Sequence, residues 1–172
     1  MTVEYLTLTY MKAISFDFEN VGGLAECYAI PVESFRRIRV DYVRNLRDVE
    51  VTDRGSIIVI PMFADDTFQH KEVKQHADGG DYWELDVEGV IPKTCKSNDI
   101  LLETLERGRW LLLSRDNNGV VRLSGTPQIP LRCDTERSTG TSYVERNGTV
   151  FHFTGKEPQP SVVIDIDDLE DM

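Results

Sequence analysis

Cysteine is scarce in this sequence and shows no paired spacing. Cys27, Cys95 and Cys133 are the three in 172 residues, and none belongs to a C-x-x-C pair. An odd, unpatterned set argues against a disulfide scaffold and reads as small, mostly buried thiols in a reducing compartment. No apolar run reaches the roughly 18 residues that a membrane-spanning helix needs. Met1 to Tyr10 has no basic stretch followed by an apolar one, so no signal peptide is expected. The phosphate-cradling patterns G-x-x-x-x-G-K-[ST] and G-x-G-x-x-G are missing, as is the G-x-S-x-G elbow of hydrolases.

Acidic residues are abundant. The formal net charge is −11, with 28% charged and 40% hydrophobic residues, so one core-forming domain carries a strongly acidic surface. A field of that sign repels nucleic acid and anionic membrane in bulk. It also suits a surface past which DNA slides without sticking.

Strand signals outnumber helix signals. Ile14, Phe16 and Phe18 alternate with polar residues, and Glu26 to Ile30 reads as a return strand ended by Pro31. Val49–Thr52 and Ser56–Ile60 flank the turn-forming Asp53-Arg54-Gly55, and the second, apolar throughout, is expected to be buried on both faces. Trp83, Leu85 and Val87 alternate with Glu84, Asp86 and Glu88, an amphipathic strand with an acidic outer face. Asp78 to Asp81 is a turn that joins it to His70–His76 in a long polar hairpin with little apolar surface of its own.

One helix is expected over about 98–107, capped by Ser97 or Asn98, with Asp99 in its first turn. Ile100, Leu101, Leu102 and Leu105 form its apolar stripe, and Gly108 stops it. Pro31–Arg37 suggests a further short helical turn. From Trp110 onward the chain reads as successive hairpins: Trp110–Arg115 and Val120–Leu123 around Asp116-Asn117-Asn118-Gly119, then Leu131–Glu136, Ser142–Arg146 and Thr149–Thr154, with Val162–Ile166 last. The fold class is therefore mainly β. An antiparallel β-sandwich or barrel carries one short flanking α-helix, and a polar hairpin over about 65–88 is free to project. Residues 1–164 make a single β-rich domain and 165–172 an acidic tail.

Candidate chemistry is thin. His70 and His76, six apart on a strand with Lys74 between them, read as a solvated face rather than a metal site. His152 lies between Phe151 and Phe153 with no nucleophile or carboxylate at motif spacing. Asp165-Ile166-Asp167-Asp168 begins like a calcium loop but lacks its sixth-position Gly and twelfth-position Glu. Asn147-Gly148-Thr149 fits the glycosylation pattern and reads better as a hairpin turn. No catalytic, cofactor-binding or metal-binding residue is assigned, and no cofactor is expected.

One basic cluster interrupts the acidity: Arg36, Arg37, Arg39, Arg44 and Arg47. A basic flank and the acidic strand of Glu84, Asp86 and Glu88 would let identical subunits dock head to side, so these eight residues are the candidate subunit interface. A second reading is a ligand- or carbohydrate-binding β-domain, with Trp83, Trp110, Tyr82 and Tyr143 as a stacking platform, although the two tryptophans fit core positions better.

The segment from Ile91 to Pro160 carries a resemblance. It runs Ile91-Pro92-Lys93, the short helix, Arg109-Trp110-Leu111-Leu112-Leu113, Asp116 to Gly119, Leu123-Ser124-Gly125, Pro130-Leu131, Ser138-Thr139-Gly140, Asn147-Gly148, Phe151-His152-Phe153 and Glu157-Pro158-Gln159-Pro160. This order resembles small virion structural proteins of tailed phages and prophages of gut Bacteroidales, including crAss-like phages. Such proteins look like ring-forming neck or tail components, tail-tube and tail-completion proteins among them. The resemblance implies a non-catalytic, homo-oligomeric ring in the virion neck or tail, assembled in the host cytoplasm. Its partners would be copies of itself and other portal, neck or tail proteins. DNA would pass through its lumen without specific binding, and no membrane would be involved.

Overall fold

The computed structural model describes residues 21–43, 46–60, 68–92, 95–138 and 148–165, with Pro92 described in its backbone alone. The expected strands at Ile14–Phe18 and Ser142–Arg146 and the tail beyond Asp165 lie outside these residues. The described chain is mainly β with a single α-helix. Its strands are β1 (Leu24–Pro31), β2 (Phe35–Asp41), β3 (Leu46–Val51), β4 (Ile58–Ile60), β5 (Gln69–Ala77) and β6 (Gly80–Pro92). After helix α1 (Lys96–Arg107) come β7 (Trp110–Asp116), β8 (Val121–Ser124), β9 (Arg132–Ser138), β10 (Gly148–Glu157) and β11 (Val162–Ile164).

The strands form a five-stranded sheet in the order β11-β8-β7-β1-β4, a four-stranded sheet in the order β5-β6-β10-β9, and a separate ribbon of β2 and β3. Every pairing is antiparallel. Two apolar clusters show how these layers stack. One joins Cys27, Ala29, Trp110 and Leu112 of the five-stranded sheet to Leu85, Val87, Cys133, Phe151 and Phe153 of the four-stranded sheet and to Leu102 and Leu105 of α1. The other joins Ile30, Leu111, Leu113, Val121, Leu123 and Ile164 to Val49 of the ribbon, with Phe35, Ile38 and Val51 against it. Neighbouring residues of a strand point to opposite faces. The five-stranded sheet is therefore the middle layer of three, with the four-stranded sheet on one side and the ribbon on the other.

The middle position explains the Leu111-Leu112-Leu113 run. All residues from Trp110 to Ser114 are buried, because both faces of β7 are covered. Two-sided burial belongs to this strand and not, as expected, to Ser56–Ile60. There the strand is only β4, at a sheet edge, with Ile60 2% and Val59 60% exposed. Nor do the strands flanking Asp53 pair with each other, since β3 pairs with β2 and β4 with β1. Between them Arg54–Ser56 forms a 3-10 turn, held by the Asp53 carboxylate accepting from the Gly55 N–H at 2.9 Å, and the chain changes layer there. The helical turn expected over Pro31–Arg37 is confined to a 3-10 turn at Val32–Ser34, after which β2 begins.

The polar hairpin is β5 and β6, paired from Gln69 with Glu88 to Ala77 with Gly80. It is built into the four-stranded sheet, since β6 also pairs with β10 from Trp83 with Glu157 to Pro92 with Gly148. Only the turn end beyond Trp83 extends past β10.

Helix α1 lies against β9 and buries a narrower stripe than expected. Leu102 and Leu105 are buried, whereas Ile100 and Leu101 stay exposed. Cys95 occupies the N-cap position without a side-chain cap, in place of Ser97 or Asn98. Asp99 sits in the first turn, as anticipated. The helix ends at Gly108, in ordinary extended backbone, for a steric reason. A Cβ there would lie 2.4 Å from the Trp110 ring, whose Nε1–H donates to the Leu105 carbonyl at 2.7 Å. That bond satisfies one of the orphan carbonyls at the helix C-terminus. No helix of the described residues is long and apolar enough to cross a membrane.

Candidate functional site

The ribbon carries the arginines. β2 and β3 pair from Phe35 with Val51 to Asp41 with Leu46. Their inner faces pack on the middle sheet near Val49, and their far end runs beyond that support. Arg36 and Arg37 bond to the Glu50 carboxylate at 3.0 and 2.7 Å, and the Arg37 contact holds that carboxyl below its ordinary range. Arg39 stands opposite Asp48 in the register. The backbone of Arg47 is tied to Asp165: its N–H donates to Oδ2 at 3.0 Å, and its carbonyl accepts from the Asp165 N–H at 2.8 Å. Arg44 lies outside the described residues. At the far end of the ribbon Tyr42 and Val43 are 89% and 96% exposed, with Val40 and Leu46 also exposed beside them. Bare apolar residues clustered at one end of an element mark an interaction surface more often than isolated ones do.

Glu84, Asp86 and Glu88 lie on the opposite side of the molecule, on the outer face of the four-stranded sheet. Their alternation with buried Leu85 and Val87 places them there. The sheet adds His152, the register partner of Glu88, and its Nδ1 lies 3.2 Å from Asp86 Oδ1. One ligand atom from each of Asp86, Glu88 and His152 falls within 4.8 Å of the others, a donor set of the kind that takes a divalent cation. Lys71, the β5 partner of Asp86, opposes a cation there. Glu84 engages Lys156 at 3.3 Å and accepts from Gln75 at 3.0 Å, and the Lys156 ammonium lies 5.2 Å from the Tyr82 ring centre. A groove of about 710 Å³ opens on this face. Val73, Ile129 and Pro130 form its apolar wall, with Glu84, Asp86, Lys71, Arg132 and Lys156 around it.

The structure brings together a third group that the sequence reading dispersed. His70 is not on a solvated face; its side chain is 7% exposed, wedged between the two sheets. Its Nδ1 lies 3.0 Å from Ser114 Oγ on β7, and its Nε2 lies 3.1 Å from Glu72 Oε1. Glu72 Oε1 also accepts from the Ser161 N–H at 3.0 Å, and Ser161 Oγ lies 2.7 Å from Ser124 Oγ. Buried Glu157 accepts from the Gly125 N–H at 2.7 Å, where Gly125 holds a positive φ of 85°. The His70 hydrogen bond, with help from Ser161, draws the Glu72 carboxyl down to about 2 against the opposing effect of burial. Burial pushes the Glu157 carboxyl up. With the imidazole neutral, an ionised Glu72 takes the proton-bearing Nε2 and Nδ1 accepts from the Ser114 hydroxyl; with it protonated, both nitrogens donate. This is the connectivity of a hydroxyl–imidazole–carboxylate relay. Ser114 is 1% exposed, however, so a reacting carbon has no path to its Oγ. The group hydrogen-bonds one layer to the other.

The eight candidate interface residues are thus divided. Arg36, Arg37, Arg39 and Arg47 share the ribbon, Glu84, Asp86 and Glu88 share the outer sheet, and the middle sheet separates the two sets. Of the residues of the expected stacking platform, Trp110 is buried under α1, Tyr82 and Trp83 are half-buried, and Tyr143 lies outside the described residues. Sequence reasoning missed the clustering of His70, Glu72, Ser114 and Glu157 because their spacing spans strands from both sheets. Their only local signal was the i, i+2 spacing of His70 and Glu72.

Among the described residues these features define a three-layer, antiparallel β-sandwich with one flanking helix and two chemically unlike outer faces. Comparison with protein families, curated proteins and solved structures returns no match for this chain.

Proposed function

We propose that this chain is a structural component of a tailed-phage virion, working by assembly as a homo-oligomeric ring in the neck or tail around the DNA channel. The observation that carries the assembly reading is the pair of unlike surfaces on opposite sides of the layered stack. On one side stands a ribbon with five arginines against three carboxylates between Phe35 and Val51, ending in bare Tyr42 and Val43. On the other stands the acidic outer sheet. Unlike surfaces on opposite sides make a head-to-tail contact, and such a contact closes into a ring when the rotation per subunit allows it. The virion assignment rests on the resemblance of Ile91–Pro160. In this reading the chain turns over no substrate, and its net charge of −11 keeps passing DNA from adhering.

Light scattering and negative-stain microscopy of the purified chain, alone and with the portal and tail proteins encoded beside its gene, test this reading. Closed rings of defined mass are expected, loosening as salt is raised because charged faces meet. A chain that stays monomeric alone and with those proteins, and whose gene lies apart from portal and tail genes, overturns it.

A further inference from the structure

We propose that Asp86, Glu88 and His152 bind a first-row divalent transition-metal ion such as zinc on the outer face of the four-stranded sheet. The inference goes beyond the assembly reading and holds whether or not the chain forms rings.

The donor set is mixed rather than merely acidic. Asp86 and Glu88 stand two apart on β6 and so share a face, and β10 lays His152 beside Glu88 in register. β6 and β10 are the two inner strands of their sheet, paired from Trp83 with Glu157 to Pro92 with Gly148, so the donors stand on a rigid support. One ligand atom from each residue lies within 4.8 Å of the others, and His152 Nδ1 is 3.2 Å from Asp86 Oδ1. At zinc's usual bond lengths of about 2.0–2.2 Å, two ligands of a tetrahedral site stand about 3.3–3.5 Å apart, so small side-chain rotations complete the set. Gln69 braces Glu88: its Nε2 donates to Oε2 at 2.8 Å, which leaves the other oxygen for a metal.

Charge favours a cation at these residues. Glu84, Asp81 and Glu50 are each paired with a lysine or arginine. Asp86 and Glu88 make no such pair among the described residues, and the one ionic contact of Asp86 is with His152. Asp134, the β9 partner of His152, adds a third negative charge beside the set. Lys71 and Arg132 lie in the register row of Asp86, one row removed from Glu88 and His152, and weaken the attraction. Both are exposed, so their charged heads are free to swing into water. Imidazole with two carboxylates suits zinc and its first-row neighbours better than magnesium or calcium, which prefer oxygen ligands throughout. Three protein donors leave a fourth position for water or a further ligand.

The test uses the full, untagged chain in a Cys95→Ser background, which leaves only the buried native thiols Cys27 and Cys133. The protein is stripped with EDTA, exchanged into metal-free buffer and titrated with zinc chloride in a calorimeter. One zinc per chain is expected, with a dissociation constant in the micromolar range and no comparable binding of magnesium or calcium. His152→Gln and Glu88→Gln should each weaken zinc binding at least about tenfold, the least that losing even a ligand's supporting partner costs. His76→Gln, which removes the exposed contact of His76 with Asp81, should leave it unchanged. Lys71→Gln should tighten it, because a like charge leaves the neighbourhood of Asp86. Zinc should also raise the melting temperature of the Cys95→Ser protein and not that of the protein with His152→Gln added. Histidine side-chain NMR of the Cys95→Ser protein gives a reading that needs no ligand variant to fold: the His152 ring signals should move with zinc while those of His70 and His76 stay. No zinc binding in the micromolar range, ring signals that move at His76 instead, or an affinity that survives both His152→Gln and Glu88→Gln overturns the site. Each of these failures leaves the assembly reading intact, since light scattering measures ring formation separately.

Discussion

His70 Nδ1 stands 3.0 Å from Ser114 Oγ, joining the edge strand of the outer sheet to the central strand of the middle one. The bond lies beside the apolar cluster that otherwise holds the two sheets together, and it is directional where that cluster is not. Register between layers is thereby pinned at one end of the sandwich.

Truncating His70 to Ala should lower stability by roughly 1–3 kcal/mol, because Ser114 and Glu72 both lose a partner while remaining shielded. Urea unfolding measures the loss. A solvated histidine, as the sequence alone suggested, would give a change within about 0.5 kcal/mol.

Glu72 and Glu157 should respond to pH with opposite signs. The folded state holds Glu72 down to about 2, so its contribution is present above the ordinary glutamate value and lost as pH falls from there toward about 2. Glu157 is raised in the folded state, so folding favours its protonated form, and that contribution fades as pH rises through its folded value. At neutral pH Glu72→Gln should therefore destabilise, whereas Glu157→Gln should be neutral or stabilising. Both differences should shrink in acid. Unfolding midpoints at a series of pH values check the signs.

Gly108→Ala should disturb the end of α1. The added methyl meets the Trp110 ring and must push it away, endangering the indole bond to Leu105. Overpacking of this kind costs about 1–3 kcal/mol. A change in the near-ultraviolet circular dichroism of tryptophan should accompany the lower midpoint.

The three cysteines should react in two classes. Cys27 and Cys133 are buried, and burial pushes both thiols up, Cys133 to about 12. Cys95 is half-buried at the start of α1. In the native protein at neutral pH a thiol-specific reagent should label Cys95 first, and all three should react together in denaturant.

Asn118→Ala should release the segment ahead of β1. The Asn118 side chain accepts from the Val21 N–H at 2.9 Å and donates to the Val21 carbonyl at 3.0 Å, pairing with that backbone as a strand neighbour would. Loss of both bonds should cost about 1 kcal/mol and speed hydrogen exchange at the Val21 amide.

Much of the architecture was legible locally. Alternation in Trp83 to Glu88 gave β6 and its acidic face, and the Asp116–Gly119 turn gave the β7–β8 hairpin. The helix was legible from its leucines, but not the width of its buried stripe, which depends on how much of β9 lies beneath it. An apolar run such as Ser56–Ile60 looks the same whether covered on one face or two. Only the layer order showed that β7 is the strand enclosed on both sides while β4 is an exposed edge.

By itself, the sequence determined a mainly β chain, an acidic surface interrupted by one basic segment, and the turns that separate its strands, because strand period, turn preference and net charge are local or additive properties. The tertiary structure alone decided that the basic ribbon and the acidic sheet face away from each other, that His152 joins Asp86 and Glu88, and that His70 is enclosed with Ser114. Those relationships depend on which strands pair and which faces stack. Contacts between residues dozens of positions apart set both, and no local pattern encodes them.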